Sequence, residues 1–482
     1  MNLREVLHVV GAILGWVAIA MIPCAAFGAT EGLFGAWLLA AAITGGLGLV
    51  LWYGTPAIVS INPRESIAVV GVGWLAVVAV GALPFLTTGA APGASEALFE
   101  SVSGFTTTGA TIFPTMEPLP RSILLWRSLS HWLGGMGIIV LGVAILPLLG
   151  VGGAQLFRAE APGIVTDRLA PRIASTARLL WAVYAGLTAA LAVIYLAMGM
   201  SGFDAVNHAM SALATGGFST RTASLGAFSA PIQWVTIVFM FLAGINFTLH
   251  FRVFSGRLTA WFTDPEWRWY FASTVGAAVI IFATLVTSTH PWSGTTLKDA
   301  VFSTVAVHST TGFATADFAA WPAVVQAMLL GLMFMGAMGG STGGGFKVVR
   351  AAVVFQHVKN EVRKVLHPRA VTVTRLGNRT VKNDVVLNVL AFLALYMVTH
   401  AIGTLLLTAM GSDLVTALSA AIAAMSSIGP GLGDVGPAAH YGHLTPAAQV
   451  VLSVLMLLGR LEFYTILVLV VPSAWMAAGG HR

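Results

Sequence analysis

The stretch Thr106-Thr107-Thr108-Gly109-Ala110-Thr111 places adjacent threonine hydroxyls and a glycine in a very apolar chain. Gly109 follows Ala97 by twelve residues, and a short segment with this alanine–glycine spacing occurs four times in the chain. In each copy, small or hydroxyl-bearing residues lead into the glycine. The repeat of roughly 100 residues therefore decides the fold. The four copies are Ala97–Gly109, Ala205–Gly217, Ala300–Gly312 and Ala417–Gly429.

The composition is that of a membrane protein. Of the 482 residues, 57% are hydrophobic and 9% are charged, whereas soluble proteins carry roughly 25% charged residues. The apolar stretches approach or exceed the ~20 residues that a helix needs to span hydrocarbon, and they lack the short alternating pattern of a β-barrel. We therefore predict an all-α polytopic membrane protein. The single cysteine, Cys24, excludes an intrachain disulfide and a cysteine-based metal site.

Ten apolar stretches have the length of a transmembrane helix. The first follows Arg4 and ends in small residues, as a signal peptide does, but its length and the span that follows favour a retained helix. Four shorter segments, near 94–108, 203–216, 298–311 and 414–428, are too short to cross and are predicted to be re-entrant helices or outer loops. The predicted spans are 8–28, 33–54, 67–87, 123–149, 179–200, 231–250, 269–289, 321–346, 385–410 and 446–476.

Lysine and arginine are unevenly distributed between the two sides of this topology. Nineteen of the 24 fall on the side that holds the N-terminus, four fall on the opposite side, and Arg460 lies within a span. Because cytoplasmic loops collect basic residues, both termini are predicted to be cytoplasmic and all four short segments to lie on the outer side. The same rule explains the net charge of +6 without a nucleic-acid partner.

Four equivalent turns entering from one side would meet at a pseudo-fourfold axis. One such turn is an ordinary loop, but four in register can form rings of backbone carbonyls that replace the hydration shell of a cation. Glycine permits the positive φ that this requires, and the short helices would aim their negative C-terminal ends at the site. Asp204 and Asp299 are predicted to cap two of those helices. Further hydroxyl ligands could come from Thr107, Thr108, Thr215, Thr310 and Thr311.

This arrangement resembles the Trk/Ktr/HKT superfamily of potassium transporters, and more closely the TrkH-type pore subunits of bacterial Trk systems. The resemblance covers essentially the whole chain and is most specific in His131–Gly163, in Gly339–Arg350 and in the four turns. It implies a location in the bacterial cytoplasmic membrane. It also implies two leading transmembrane helices in residues 1–60 and four pore repeats in residues 61–165, 166–262, 263–382 and 383–482.

The resemblance further implies a potassium filter. In plant relatives a serine at the first filter glycine accompanies sodium preference, and this chain has Gly109 there. The fourth repeat departs from the family pattern, because Ser426-Ser427 stand where asparagine is often found; the degree of discrimination against sodium is therefore left open. The transported K⁺ is expected at Thr108, Gly109, Gly216, Gly217, Thr311, Gly312, Ile428 and Gly429, and Thr107, Thr215, Thr310 and Ser427 complete the filter.

The run Gly339-Gly340-Ser341-Thr342-Gly343-Gly344-Gly345 interrupts a span of the third repeat. One glycine in a helix interior costs about 1 kcal/mol relative to alanine, so five within seven residues predict an unwound loop. The run lacks the G-x-x-x-x-G-K-[ST] pattern of a phosphate-binding loop, and unwinding without a function is the other alternative. The TrkH resemblance implies a flexible loop beneath the filter that blocks the pore and moves aside.

Arg460 lies deep within a span, where a charge costs on the order of several kcal/mol and indicates a function. It is not expected to pair with Glu462, because residues i and i+2 face different sides of a helix. The resemblance implies an electrostatic barrier and a gating contact; snorkelling or a bond to a buried carbonyl is the structural alternative. His131 is interpreted as a packing residue and not as a metal ligand. Glu100, Asp413 and Asp434 could attract cations to the outer mouth or simply solvate it.

The stretch Lys347–Lys382 carries nine basic residues, which ordinary topology and anionic lipid explain in part. The resemblance implies that a TrkA-type cytosolic nucleotide-binding ring docks on this face and that the chain forms a homodimer. The sequence has no dinucleotide-binding fingerprint of its own, so nucleotide sensing is assigned to that partner. No organic cofactor is predicted in this chain.

These observations predict a gated potassium-uptake subunit and not an enzyme. A proton-coupled secondary cation transporter is the alternative; it would need inverted repeats and carboxylates buried in spans, and the sequence places few acids there. An intramembrane enzyme would need a nucleophile–base pair or a metal motif such as H-E-x-x-H, which the sequence lacks.

Overall fold

The computed structural model describes residues 3–55, 63–144 and 169–463. Outside these residues lie the ends of the predicted spans at 123–149 and 446–476, two of the predicted repeat boundaries and residues 145–163 of the stretch that carries the resemblance. Three of the nineteen basic residues assigned to the N-terminal side, Arg158, Arg168 and Arg482, also lie outside them.

Helices make up nearly all of the regular structure in the described residues. One hairpin, β1 (Arg375–Leu376) paired antiparallel with β2 (Arg379–Thr380), follows the sixteenth helix. The helices are α1 (Leu3–Ala20), α2 (Ile22–Thr30), α3 (Phe34–Tyr53), α4 (Pro63–Gly81), α5 (Leu83–Thr87), α6 (Ala94–Phe105), α7 (Arg121–Ala144), α8 (Leu169–Ala197), α9 (Gly202–Leu213), α10 (Ala230–Ala243), α11 (Phe247–Phe254), α12 (Ala260–Thr263), α13 (Pro265–Ser288), α14 (Gly294–His308), α15 (Ala323–Met335), α16 (Val348–Leu366), α17 (Asn383–Ala409), α18 (Leu414–Met425) and α19 (Pro446–Leu461).

Six helical stretches of the described residues are long and apolar enough to cross a membrane, and two of them join consecutive helices, α1 with α2 and α4 with α5. A seventh span results if the bent pair of α10 and α11 is counted as one. Many large apolar side chains on these helices are exposed, as expected for surfaces that face lipid. The predicted all-α, multi-pass membrane protein is therefore confirmed. The six spans are Leu3–Thr30, Phe34–Tyr53, Ile67–Thr87, Thr176–Ala197, Pro265–Ser288 and Asn383–Ala409.

The span predicted at 231–250 is not one straight helix, because the chain bends by 102° between α10 and α11. Asn246 starts the second helix: its side chain accepts a hydrogen bond from the backbone N–H of Thr248 at 2.8 Å. The backbone N–H of Phe247 lies in the first turn of that helix, and it donates to the carbonyl of Gly340 at 3.0 Å. Hydropathy averages over such a break, so the apolar composition concealed it.

Two further helices end inside predicted spans: α15 ends within 321–346, just before the glycine run that predicted an unwound loop there, and α19 ends within 446–476. α15 has 13 residues and ends at Gly336, which has a φ of +68°. α19 has 16 residues and ends at Glu462, which has a φ of +58°. The ψ values, −163° at Gly336 and +141° at Glu462, are extended, so both residues turn the chain away from the helix axis. Irregular backbone follows α15 as far as Lys347.

The four short segments form α6, α9, α14 and α18, which we call the short helices. Asp204 and Asp299 do not cap them, so that prediction is wrong. Ser201 accepts the capping bond of α9 from the backbone N–H of Asp204, and Ser293 caps α14. Each helix starts earlier than its aspartate, which leaves both carboxylates free to bind other segments.

The leading helices pack tightly on each other and on the first repeat. Gly11 of α1 and Gly48 of α3 face each other so closely that a Cβ on Gly48 would lie 2.9 Å from the carbonyl oxygen of Gly11. Glu31, between α2 and α3, accepts hydrogen bonds from the backbone N–H groups of Arg121 at 2.5 Å and Ser122 at 3.2 Å. A carboxylate at the start of α7 is stabilised by the helix dipole.

Gly48→Val is expected to separate α1 from α3 and to destabilise the protein by about 1–3 kcal/mol, because overpacking a close contact forces the backbones apart. Gly46→Val is the matched control on the same helix, since a Cβ there has no atom within 4 Å. Thermal unfolding of the two purified variants in one detergent measures the difference, and equal melting temperatures would contradict the close-packing argument.

Candidate functional site

The four short helices end in the same strained turn. The residue after each helix cap has a positive φ, as at Thr107, and the following N–H reaches back five residues, as from Thr108 to the carbonyl of Ser103 at 2.9 Å. Threonine rarely adopts this conformation, which costs roughly 1–2 kcal/mol, and such strain is concentrated at functional sites. The four φ values are +54° at Thr107, +54° at Thr215, +60° at Thr310 and +54° at Ser427.

The glycine two residues further on has a positive φ in every repeat, between +75° and +95°. We call the segments Thr107–Gly109, Thr215–Gly217, Thr310–Gly312 and Ser427–Gly429 the glycine turns. A Cβ atom added to any of these glycines would lie less than 3.0 Å from a carbonyl oxygen of the next turn. The facing pairs are Gly109 with Gly216, Gly217 with Thr311, Gly312 with Ile428, and Gly429 with Thr108. This order returns to its start, so the four turns form a closed ring.

The ring brings equivalent backbone oxygens together in a buried place. Close, neutral oxygens of this kind can replace the water around a monovalent cation. The hydroxyls of Thr107 and Ser427 are also buried, and neither has a hydrogen-bond partner among the described residues. The hydroxyl of Thr215 bonds to the carbonyl of Ala214 at 2.6 Å. The ring can therefore offer main-chain carbonyls and side-chain hydroxyls to one ion.

A cavity opens on the face of the ring where the turns leave it. Its wall includes the glycines of all four turns and the side chains of Arg127 and Arg221. Tyr441 also lines the cavity, and its hydroxyl donates to the carbonyl of Gly429 at 2.7 Å. The cavity thus gives access to the ring from the side of the segments that follow the glycine turns, which we call the return segments.

The three acidic residues expected at the outer mouth, Glu100, Asp413 and Asp434, differ in their burial and in their hydrogen bonds. Glu100 is completely buried and forms an ion pair with Arg127 at 2.7 Å, so the prediction that it attracts cations or solvates the mouth is wrong. Asp413 caps α18, and its hydrogen bonds, first of all those from Thr416, hold the pKa of its carboxyl below the usual value. Asp434 is exposed in the turn Gly433–Val435.

The glycine-rich loop, Gly339–Gly345, lies against the face of the ring opposite the cavity. The backbone N–H of Gly344 donates to the Thr310 hydroxyl at 2.8 Å, and the Thr342 hydroxyl donates to the carbonyl of Leu213 at 3.0 Å. A Cβ on Gly344 would overlap the carbonyl of Ser426. The loop therefore touches three of the four short helices or their turns.

Charged side chains hold the glycine-rich loop in place. Arg460 is buried and donates from Nη1 to the carbonyl of Thr342 at 2.7 Å, while Nε and Nη2 have no hydrogen-bond partner among the described residues. Glu266 accepts from the backbone N–H of Gly339 at 2.6 Å. Lys347 Nζ donates to the carbonyl of Gly343. The first residue and the middle of the loop are therefore held by charged side chains.

The sequence did not identify Glu266, Lys347 or Arg350 as contacts of this region. As expected, Glu462 does not pair with Arg460; its two carboxylate oxygens accept from Nη2 of Arg350, each at 2.9 Å. Arg350 and Glu462 are 112 residues apart, so only the fold shows the pair. The available signal was that both are charged residues next to apolar stretches.

His131 lies behind the second glycine turn. Its ring stacks on Phe218 with centroids 4.1 Å apart, and its Nδ1 lies 3.1 Å from the hydroxyl of Ser211. A Cβ on Gly216 would overlap the imidazole. These contacts agree with the interpretation of His131 as a packing residue.

Comparisons with known proteins give a consistent result. Residues 39–477 match the TrkH family, described as cation transport protein. The chain is 39% identical over 482 residues to the Trk system potassium uptake protein TrkH of Halomonas elongata, covering 98% of this chain and 100% of that protein. It is 43% identical over 389 residues to TrkH of Vibrio parahaemolyticus, covering 79% of each. The crystal structure of the potassium transporter TrkH from Vibrio parahaemolyticus superposes with a TM-score of 0.90 at 36% identity, covering 99% of this chain and 100% of that chain.

Gly312→Ala is expected to destabilise the protein more than Gly411→Ala does. Both glycines have a positive φ, so alanine costs roughly 1–2 kcal/mol at either position. Only at Gly312 does the added methyl also overlap a carbonyl, that of Ile428, because Gly411 has no atom within 4 Å of its Cβ position. Melting temperatures of the purified variants measure the difference. Equal losses would show that the ring tolerates a side chain.

Proposed function

Because the chain belongs to the TrkH family of cation transport proteins, we propose that it takes up potassium ions across a bacterial cytoplasmic membrane through the ring of glycine turns. Its relatives are named Trk system potassium uptake proteins, which makes the chain a transporter and not an enzyme. The observation that carries the ion path is the closed order of glycine–carbonyl contacts around the four turns. A ring of this kind is a place where an ion can exchange water for backbone oxygen.

The selectivity filter in this proposal consists of the glycine turns. Main-chain oxygens supply most of the ligands. The hydroxyls of Thr107 and Ser427, which have no hydrogen-bond partner in the described part of the chain, supply two more on the side of the glycine-rich loop. The C-terminal ends of the four short helices point their partial negative charge at the ring, which favours a cation. Potassium binds at Thr108, Gly109, Gly216, Gly217, Thr311, Gly312, Ile428 and Gly429.

The glycine-rich loop acts as the gate. In the structure it lies directly against the ring, with Ser341 and Thr342 buried, and an ion that leaves the ring on this side meets the loop. Arg460 adds a positive charge at the same level, next to Thr342, and so raises the barrier for a cation. Opening requires the loop to exchange its bonds to Thr310, Leu213 and Arg460 for others, and its glycines give the backbone that freedom.

Regulation is proposed to come from a cytosolic nucleotide-binding partner of the TrkA type. The C-terminal half of α16 is exposed and basic, with Arg363 and Lys364 followed by Arg369 beyond the helix end. This helix begins at Val348, directly after Lys347, so a force on α16 reaches the glycine-rich loop through continuous backbone. Both termini are proposed to be cytoplasmic, and two chains to form a homodimer with one pore each.

Ion flux into liposomes that contain the purified chain tests the proposed function. Potassium uptake that follows the potassium gradient and is independent of a pH gradient supports a conducting pore. Strict dependence on protons would favour the alternative, a proton-coupled secondary transporter. Vesicles without protein provide the background flux. If a variant with a weakened gate, such as Arg460→Ala, carried no potassium either, the proposal would be contradicted.

Gly109→Ser is expected to lower the potassium-to-sodium flux ratio about tenfold, which corresponds to ~1.4 kcal/mol, because the side chain crowds the carbonyl of Gly216. Gly89→Ser is the control, since Gly89 also has a positive φ but no atom within 4 Å of its Cβ position. Competition between potassium and sodium in the same liposome assay measures the ratio. A wild-type ratio in Gly109→Ser would remove Gly109 from the filter.

Arg460→Ala is expected to raise the basal potassium leak about tenfold or more, because a charge-assisted hydrogen bond that contributes on the order of 1.5–3 kcal/mol is lost together with the positive barrier. Deleting Gly343 and Gly344 is expected to act in the same direction by withdrawing the loop from Thr310. Arg363→Ala, on the exposed part of α16, is the control. The assay is flux without any cytosolic partner, and an unchanged leak in both variants would contradict the gate.

A further inference from the structure

We propose that Glu100 and Arg127 form a buried clamp that fixes the first and second glycine turns relative to each other and thereby sets ion selectivity; this inference rests on the proposed function of the ring. Glu100 belongs to the short helix α6, and Arg127 belongs to α7, the next helix of the same repeat. Neither residue is a filter ligand. Both are positioning residues, and the observations that follow concern what each of them holds.

The clamp is buried and bonded throughout. Nε of Arg127 donates to Oε1 of Glu100 at 2.7 Å, with side-chain exposures of 2% and 0%. Nη2 donates to the Thr111 hydroxyl at 3.1 Å, and Nη1 to the carbonyl of Ser219 at 3.2 Å. The guanidinium also lies 3.9 Å from the centroid of the Phe218 ring. A buried ion pair is costly unless its groups are satisfied in this way, so its location indicates a specific role.

The partners of the clamp are the segments that leave two neighbouring glycine turns. Glu100 accepts from the backbone N–H of Ile112 at 2.9 Å and from the Thr111 hydroxyl, shortly after Gly109. Phe218 and Ser219 directly follow Gly217. Arg127 therefore connects the exit of the first turn with the exit of the second. A shift of either turn would break charge-assisted hydrogen bonds, which are stronger than neutral ones.

In the second and third repeats, an aspartate of the short helix binds the equivalent segment of its own repeat. In the second repeat Asp204 accepts from the Thr220 hydroxyl at 2.6 Å, and in the third repeat Asp299 accepts from the Thr315 hydroxyl at 2.8 Å. Links between other neighbouring turns include the backbone bond from Gly226 to Ala314 at 3.1 Å. Between the first and second repeats, the link includes the ion pair of Arg127 and Glu100, through the hydrogen bond from Arg127 to the Ser219 carbonyl.

Selectivity is the property that such a clamp would control. A binding constellation has to be held to within about 0.5 Å to discriminate between similar ligands, and sodium and potassium differ chiefly in size. Glu100 cannot act by attracting cations directly, because both of its oxygens are occupied by Arg127, Thr111 and Ile112. The expected effect of loosening the clamp is therefore a changed ion ratio and not merely a changed rate.

The test compares Arg127→Lys with Arg221→Gln in liposomes. Lysine keeps the charge but cannot reach Glu100, Thr111 and Ser219 at once. Arg221 also lines the cavity and pairs with Asp204, but its side chain is 45% exposed, so its loss changes the charge at the mouth without touching the clamp. We expect Arg127→Lys to lower the potassium-to-sodium flux ratio about fivefold or more, and Arg221→Gln to keep the ratio of the wild type.

Glu100→Gln, which is nearly the same shape, provides a second variant if Arg127→Lys does not fold. A wild-type ratio in either folded variant would overturn the clamp, even if the flux itself fell. An equal fall of the ratio in Arg221→Gln would overturn it as well, because mouth charge would then be the cause. Failure of the wild-type chain to select potassium would instead contradict the proposed function, so the two failures are distinguishable.

Discussion

The glycine turns approach one another so closely that a Cβ on any of their four last glycines would lie less than 3.0 Å from a carbonyl oxygen of the next turn. This contact between backbones determines much of the surrounding structure. The short helices must end in left-handed residues to bring the turns together, and that strain is held by bonds such as those from Thr220 to Asp204 and from Thr315 to Asp299. His131 packs behind the second turn, where a larger residue than Gly216 would not fit.

Charges inside the protein accompany this irregular backbone on both faces of the ring. On the cavity side, Arg127 and Glu100 satisfy each other and the return segments. On the other side, Arg350 pairs with Glu462, and Arg460 binds a carbonyl of the glycine-rich loop. Backbone groups without helical partners need hydrogen bonds when they are away from water, and charged side chains provide strong ones. Glu100, Arg127 and Arg460 thus bind backbone groups that lie outside the helices.

The repeating alanine–glycine spacing and the hydropathy were sufficient to predict the all-α membrane fold, since they depend on local composition. The glycine run Gly339–Gly345 did predict the unwinding that follows α15. The breaks at Asn246 and Glu462 were not predicted, because a window of apolar residues does not register a capping side chain or a single residue of positive φ. The pairing of Arg350 with Glu462 and of Glu100 with Arg127 depends on tertiary packing. The assigned roles of the filter, the loop and the partner stay predictions.

The shortness of α15 has a consequence for how the chain enters the bilayer. Its 13 residues extend over about 20 Å as a helix, which is less than the ~30 Å of hydrocarbon. Without the neighbouring repeats, the loop that follows would have peptide groups with no helical partners, and lipid cannot satisfy them. This segment is therefore stable only when the neighbouring repeats already surround it. We therefore expect the third repeat to reach its final position in the bilayer only together with the repeats that cover this loop.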